Sequence, residues 1–485
     1  MHHWSATRLL QGLESRLFSS RELVQQLLAR IEERNPALNA VVTLDAERAF
    51  ARAGAADADR ARGRRWGALH GLPITIKDTF ATAGLRTTAG SPDYADYMPA
   101  EDAVAVARLR AAGAIVLGKT NTAELAGDLQ CDNPLFGRTN NPWDMERTSG
   151  GSSGGSAAAL AAALTPLELG SDIGGSIRLP AHFCGVCGHK PTHGLVPMRG
   201  HIPGPPGTLA RTDLAVAGPM ARSVEDLALA LELLAGPDEP ECRAWSLTLP
   251  QPEARRAGDW RIAVWSEQAG FPLAAGVREG LDRVVSSLLE AGARVDSAAR
   301  PASVDLSAAH ELFYSLLAAA MSGGLTQAEI REGRQLPGSG ADDSDRVRFY
   351  RSAAMSHRRW QRLHEQRLQL AARWQAFFDE WDVLLCPVAP VPAFAHDLDR
   401  PPLDRLVSVA GVERPYSDLS LWCGLAGLPY LPATVVPAGQ DGNGLPVGIQ
   451  VVGPRFGDRL TLAAAALVEE VCGGFAAPGE PISRM

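Results

Sequence analysis

No stretch of this 485-residue chain approaches the roughly 18 consecutive apolar residues that a membrane-spanning helix needs. The opening Met1-His2-His3-Trp4-Ser5 lacks the apolar core of a secretory signal. Both absences point to the cytoplasm and to no membrane partner. An excess of basic residues is missing as well: 47 Lys and Arg stand against 55 Asp and Glu, for a net charge of −8. Phosphate binding needs a concentrated cationic face, so nucleic acid is not expected as a partner. The arginines from Arg48 to Arg65 are interleaved with alanines and two aspartates and read as a solvated helix face. The seven cysteines are an odd number scattered along the chain, which argues against a disulfide framework and for reduced thiols.

What is present describes a folded protein. Hydrophobic residues make up 46% and charged residues 21%, as in ordinary globular chains, and the length allows a large core. Residues 5 to 60 carry leucine and valine at helical spacing, with Ser19 as a cap ahead of Leu23 and Val24. From Leu72 short apolar strands alternate with helices: Pro73 to Lys77, a helix from Ala103 to Ala112, a strand from Ala114 to Leu117, and helices from Ser156 to Leu164 and from Asp226 to Leu234. Residues 306 to 381 read as mainly helical, and strands return at Val383, Ala433 and Val447 before a last helix from Leu460. Such alternation predicts an α/β fold. Because the sheet starts before residue 80 and finishes after 430, and no internal repeat is visible, a single domain over 1–485 is expected. Its parts are a helical wrap (1–65), a core (66–236), a variable, mostly helical pocket region (237–381) and a C-terminal part of the core sheet (382–485).

The chemistry is concentrated in three places: a lone lysine ending an apolar strand, Leu72-Pro73-Ile74-Thr75-Ile76-Lys77, and two glycine-serine strings, Gly150-Gly151-Ser152-Ser153-Gly154-Gly155-Ser156 and Gly170-Ser171-Asp172-Ile173-Gly174-Gly175-Ser176-Ile177-Arg178. Together with Gly188-His189-Lys190-Pro191-Thr192 and Gly444-Leu445-Pro446-Val447-Gly448-Ile449-Gln450, they resemble the amidase signature family of serine hydrolases, from about Leu9 to Glu470. The resemblance implies a large mixed central β-sheet covered by helices on both faces. It implies Ser176 as nucleophile, Ser152 as a bridging serine on a cis peptide and Lys77 as base, with no metal and no cofactor. It also implies an oxyanion hole from the N–H groups of Ile173, Gly174, Gly175 and Ser176, and supporting roles for Ser153, Ser171, Asp172 and Arg178. A lysine base must be neutral, and burial lowers a lysine pKa by up to about 3 to 5 units. Ile74 and Ile76 suit such burial, while Asp78 must point elsewhere.

Other readings of the same residues are weaker. A glycine-serine string alone would serve as a linker. Gly150-x-Ser152-x-Gly154 matches a nucleophile elbow, but Asn140-Asn141-Pro142 before it is turn chemistry rather than the strand an elbow needs. Gly113 to Thr120 matches a phosphate-binding loop literally, yet its variable positions are apolar and read as a strand. Lys119 nevertheless stands as a rival lysine. His182, Cys184, Cys187, His189 and His193 could suggest zinc, although packing and local hydrogen bonding explain them better. Ser156 reads as a helix cap.

Substrate choice in the family lies outside the signature strings. By analogy the pocket is expected from Leu129, Gln130 and Cys131, the Pro203–Gly207 loop, the helices of 310–380 and the approach to Gly424, where Trp422 hints at an apolar or aromatic substrate. The expected activity is hydrolysis of a small-molecule linear amide, hydrophobic or aryl, by a monomer or homodimer. Esters and carbamates offer the same electrophilic carbonyl, so aryl acylamidase and urethanase activities fall within it. The alternatives are the glutaminase (A-type) component of a tRNA-dependent amidotransferase, and an idle binding scaffold, which the joint presence of Lys77, Ser152 and Ser176 disfavours.

Overall fold

The computed structural model describes residues 2–253, 255–336 and 344–479. The ends of the expected 1–485 span and a short piece of its 237–381 region lie outside them. The strands follow in order: β1 (Val41–Leu44), β2 (Pro73–Lys77), β3 (Ile115–Thr120), β4 (Asn140–Asn141), β5 (Asp144–Thr148), β6 (Leu167–Asp172), β7 (Cys187–Lys190), β8 (Val216–Ala221), β9 (Arg261–Val264), β10 (Arg294–Asp296), β11 (Val383–Pro387), β12 (Leu406–Val409), β13 (Val412–Pro415), β14 (Ala433–Gln440) and β15 (Pro446–Val452). Eleven of them form one sheet in the order β1-β3-β2-β6-β8-β7-β14-β15-β11-β9-β10, while β4 with β5 and β12 with β13 pair separately.

The sheet is mixed. β2 runs parallel to both neighbours, β3 and β6, whereas β6 with β8 and β14 with β15 are antiparallel. Every residue of β2 is buried, as a strand covered on both faces requires. Strand alternation then divides the core. On β11, Val383 and Leu385 join a cluster with Leu227, Leu281 and Leu462 of the helices Val224–Leu234, Ala275–Glu290 and Asp458–Cys472. Leu384 and Cys386 point the other way, into a second cluster with Phe313, Trp374 and Trp422. Lys77 closes β2, and Ser171 and Asp172 close the adjacent β6, so the candidate residues lie at the carboxyl ends of neighbouring parallel strands, where open α/β sheets place their ligands.

Several local expectations hold. Ser19 closes a capping box with Glu22 ahead of the helix Ser20–Leu38. In the arginine run, Arg48 pairs with Asp45, and Arg62 and Arg64 with Asp59; such exposed pairs contribute little stability, whereas Arg60 is largely buried against Asp57, Ser20 and His70 O. Others are corrected. The 1–65 wrap contains β1, which pairs antiparallel with β3. The 237–381 region carries β9 and β10, the far edge of the main sheet, besides the five α-helices of its described residues, Ala275–Glu290, Leu306–Ala320, Gln327–Gln335, Asp345–Ala353 and His357–Glu380. Strands of three or four residues give too little periodicity to be recognised. Ser156 is not a cap: the helix already begins at Gly154, and the Ser156 hydroxyl meets that of Thr120 at 2.9 Å. Among the described residues no helix is long and apolar enough to cross a membrane.

The helix His357–Glu380 packs its aromatic residues into the core. Trp374 is fully buried, with Phe377 edge-on at 5.6 Å and Phe378 stacked at 5.8 Å. Trp374→Ala should cost about 3 to 5 kcal/mol of stability through lost burial and the cavity left behind, read as a lower midpoint in denaturant unfolding.

Candidate active site

Lys77 has no solvent exposure. Its Nζ lies 2.7 Å from Ser152 Oγ and 3.0 Å from Ser171 Oγ, with no carboxylate against it. Burial lowers its pKa to about 7, against smaller opposing effects of Cys131, Asp172 and Glu168. Asp78 does point elsewhere: it is buried 3.4 Å from Lys119 and accepts from the Thr88 N–H at 3.0 Å and hydroxyl at 2.6 Å. Lys119, the rival lysine, also donates to Phe80 O and Thr87 Oγ1, at 2.7 and 2.9 Å. It lies on β3 in a buried ion pair, and the segment 113–120 forms no phosphate-cradling loop.

The two serine strings lock together. The Gly151–Ser152 peptide is cis. A side chain at Gly151 would reach within 2.6 Å of Asp128 O, so glycine is required for that approach. The Ser153 N–H donates to Ser176 O at 3.2 Å, and the Ser153 hydroxyl to Ser171 O at 3.3 Å. Ser176 is 4% exposed and lines a cleft with Ile173 and Gly174. Gly175, at φ 124°, adopts a conformation that side-chain-bearing residues rarely take.

Asp172 organises the second string from beneath. It pairs with Arg178 through contacts of 3.0 and 2.9 Å, and accepts from the N–H groups of Gly175 (2.9 Å) and Ile177 (3.1 Å). Burial alone would raise its pKa, but Arg178 outweighs burial and holds it below the usual carboxylate value. Arg178 reaches on to Cys423 O at 2.7 Å and Gln450 Oε1 at 3.2 Å. One expected oxyanion donor is therefore already engaged: the Gly175 N–H belongs to Asp172. Those of Ile173, Gly174 and Ser176 have no protein acceptor among the described residues.

The pocket differs from expectation. Leu129 lines the cleft beside Ser176. Gln130 is buried and instead bonds the backbone of Asp397, donating at 2.8 Å and accepting at 3.1 Å. Cys131 lies behind the first serine string with its thiol on Thr139. Trp422 is fully buried in the core, 6.4 Å from the ring of Trp265, and does not line the cleft, so its hint of an aromatic substrate falls away. The Pro203–Gly207 loop lines a separate cavity with Glu101, Asp102 and Arg199.

The walls are completed by Tyr314, Leu317, Met321, Phe349, Leu403 and Tyr416. Of these, Tyr314 to Phe349 fall in the helical stretch marked from sequence, while 403 and 416 lack any motif. The two carboxylates of the cleft are already engaged. Asp128 meets Arg405 at 2.5 Å and Tyr416 OH at 3.0 Å, and Asp345 meets Arg348 at 3.0 Å and Ser417 Oγ at 2.7 Å.

The cysteine-histidine cluster is dispersed. His182 is held by Gly448 and Val391, Cys184 faces Ser149 O, Cys187 faces Glu469, and His189 bonds Thr434 and Asp458. His193 stacks on Tyr430 at 4.3 Å. For the loop brace, Arg178→Met should leave the Asp172 carboxylate buried without its partner and cost roughly 3 to 5 kcal/mol, measured by denaturant unfolding.

Comparison with known proteins agrees with this geometry. The amidase family model matches residues 22–462. The A-type component of the glutamyl-tRNA(Gln) amidotransferase of Roseiflexus sp. (strain RS-1) is 36% identical over 95% of this chain and 95% of its own. Its counterpart from Thermus thermophilus is 38% identical over 93% of each. Among solved structures, a chain from a vestigial protein complex bearing on the origins of an s-triazine catabolic enzyme superimposes with a TM-score of 0.81 at 30% identity, covering 98% of this chain and all 100% of that one. A bacterial aryl acylamidase gives 0.79 at 26%, covering 96% of each chain. The motifs, the mixed sheet and the matched span together make this chain a member of the amidase family, the amidase-signature hydrolases of carbon–nitrogen bonds.

Proposed function

We propose that the chain cleaves an amide through an acyl-enzyme, with Ser176 as nucleophile, Ser152 as relay and Lys77 as base, and that its substrate is an uncharged, largely apolar or aryl amide. The observation that carries the chemistry is the fully buried lysine whose amine meets the hydroxyls of Ser152 and Ser171, a setting in which burial lowers its pKa to about 7. A neutral Lys77 donates one N–H to Ser171 while its lone pair takes the proton of Ser152, which takes that of Ser176. Ser176 Oγ bonds to the carbonyl carbon, and the carbonyl π pair moves onto oxygen, received by the N–H groups of Ile173, Gly174 and Ser176. Ser152 then passes its proton to the leaving nitrogen as the C–N bond breaks, and water, deprotonated along the same relay, cleaves the resulting ester. Asp172, Arg178, Ser153 and Ser171 hold the loops for this sequence. Esters and carbamates would enter by the same steps.

The pocket supports the substrate class. Apolar and aromatic side chains dominate its walls, and Asp128 and Asp345 are already paired with arginines. A free glutamine would need a carboxylate for its ammonium group and a cation for its carboxylate, and burying charge unpaired is costly.

The relatives favour a second reading. Those 36% and 38% identical over nearly the whole chain are named as the A-type components of glutamyl-tRNA(Gln) amidotransferases. Under that reading the chain is the glutaminase component of a larger assembly, working beside partner proteins and tRNA.

Amine or ammonia release from short aliphatic amides, glutamine, long-chain amides, anilides and an aryl carbamate, with Ser176→Ala as blank, separates the two. Anilide or carbamate turnover absent from the blank is expected; release from glutamine alone favours the amidotransferase component, and no release above blank rejects a stand-alone amidase. Because only free-base Lys77 can take the proton, kcat/KM should be full above its pKa and fall as pH drops through about 7. Lys77→Ala should lower kcat by at least about 100-fold, the scale of a lost general base.

A further inference from the structure

The sheet register brings a second ionisable group to the face occupied by Lys77. Thr75 and Lys77 stand two residues apart on β2 and share a face. Thr75 pairs with Glu168 of the parallel neighbour β6, which puts Glu168 on that face about 7 Å along the strand direction from Lys77. On the other side Lys77 pairs with Thr120 of β3. The helix Gly154–Ala161 covers this face and adds Ser156. Glu168 is 2% exposed, and neither carboxyl oxygen completes a well-aligned hydrogen bond among the described residues. The hydroxyls of Thr75, Thr120 and Ser156 are near enough to ease part of the cost of burying its charge.

Burial pushes the Glu168 carboxyl up to about 7. Of the other groups around Lys77, Cys131, Asp172 and His201 are fixed in charge near neutrality, while Lys119 and Lys190 are turned to other partners. From the first serine loop, Cys131 is held by burial at about 11. At the end of β6, Asp172 is pinned ionised by Arg178. His201, beside Phe80, is pushed by burial and then by Lys77 down to about 3. Lys119 on β3 is taken up by Asp78. Lys190, lowered by burial to about 7, faces the Asp172–Arg178 pair. Among the described residues, Glu168 is therefore the carboxyl on the Lys77 face whose charge changes in the same range as the base, and no step of the proposed reaction uses it.

We infer that Glu168 is a positioning residue for the base: as its carboxyl ionises it holds the proton on Lys77 and delays the Ser152–Ser176 relay to higher pH. Two interacting buried groups lose their protons in steps that belong to the pair, so the onset of activity spreads over a wider pH range than one lysine alone would give. This rests on Lys77 being the base.

The rate at which a fluorophosphonate probe labels Ser176, followed by intact mass across about pH 5 to 9, tests it without knowledge of the substrate. In Glu168→Gln the rise should narrow and its midpoint move to lower pH by about half a unit, with faster labelling near pH 7, no difference at the acid end and the plateau unchanged. Ser156→Ala, which withdraws a hydroxyl that favours the carboxylate, should move the rise the same way by less, and carries the test if the glutamine variant does not fold. If Lys77→Ala labels like the unaltered protein, the base assignment fails. If Lys77→Ala abolishes labelling while Glu168→Gln and Ser156→Ala leave midpoint and width unchanged, or lower only the plateau, the role of Glu168 alone is overturned.

Discussion

An amine taken out of water with no carboxylate against it is the constraint around which the candidate site is arranged. Water or a counter-ion would keep Lys77 charged, and a charged lysine accepts no proton. Strand alternation does the first part of the work by turning the neighbouring Asp78 to the opposite face, where Lys119 and Thr88 hold it. The two lysines make an internal comparison. Both are fully buried, but Lys119 has a carboxylate at 3.4 Å and is lowered only to about 8, whereas Lys77 has hydroxyls and reaches about 7.

The second string solves the opposite problem. Its Asp172 is kept charged in a dry place by Arg178, and that charge gathers backbone N–H groups from Gly175 and Ile177. Donors committed to Asp172 fix the loop, and the donors left without acceptors among the described residues belong to residues that line the cleft. Loop shape and donor supply thus have one origin, a buried ion pair whose two members each have further partners. Removal of either member strands the other, which is why such a pair is costly to break even where it adds little net stability.

The candidates Lys77, Ser152 and Ser176 stand out in the sequence because each is a distinctive residue in a distinctive setting: a lysine ending an apolar strand, and serines among glycines where the backbone approaches closely. β2, β3, β11, β14 and β15 were legible for a similar reason, since continuous apolar runs mark burial on both faces; β6 and β8, interrupted by Gly170 and by Gly218-Pro219, were not. The pocket was not. Its walls combine Tyr314, Phe349 and Tyr416, side chains from separate helices and turns that meet only after folding. Trp422 misled because a tryptophan near a glycine fits a pocket wall as readily as a core, and the helix Leu421–Gly427 turns it into the core. β9 and β10 escaped notice because edge strands of three or four residues carry almost no pattern.

The bracing of the central loop has a consequence for how the protein is made. Arg178 is anchored to Cys423 and Gln450, and β7, which follows it, pairs with β14. The residues that resemble a catalytic centre are all synthesised before residue 180, yet the strands that immobilise them are synthesised after residue 430. A chain still on the ribosome therefore carries Lys77 and both serine strings before the residues that anchor Arg178 have been made.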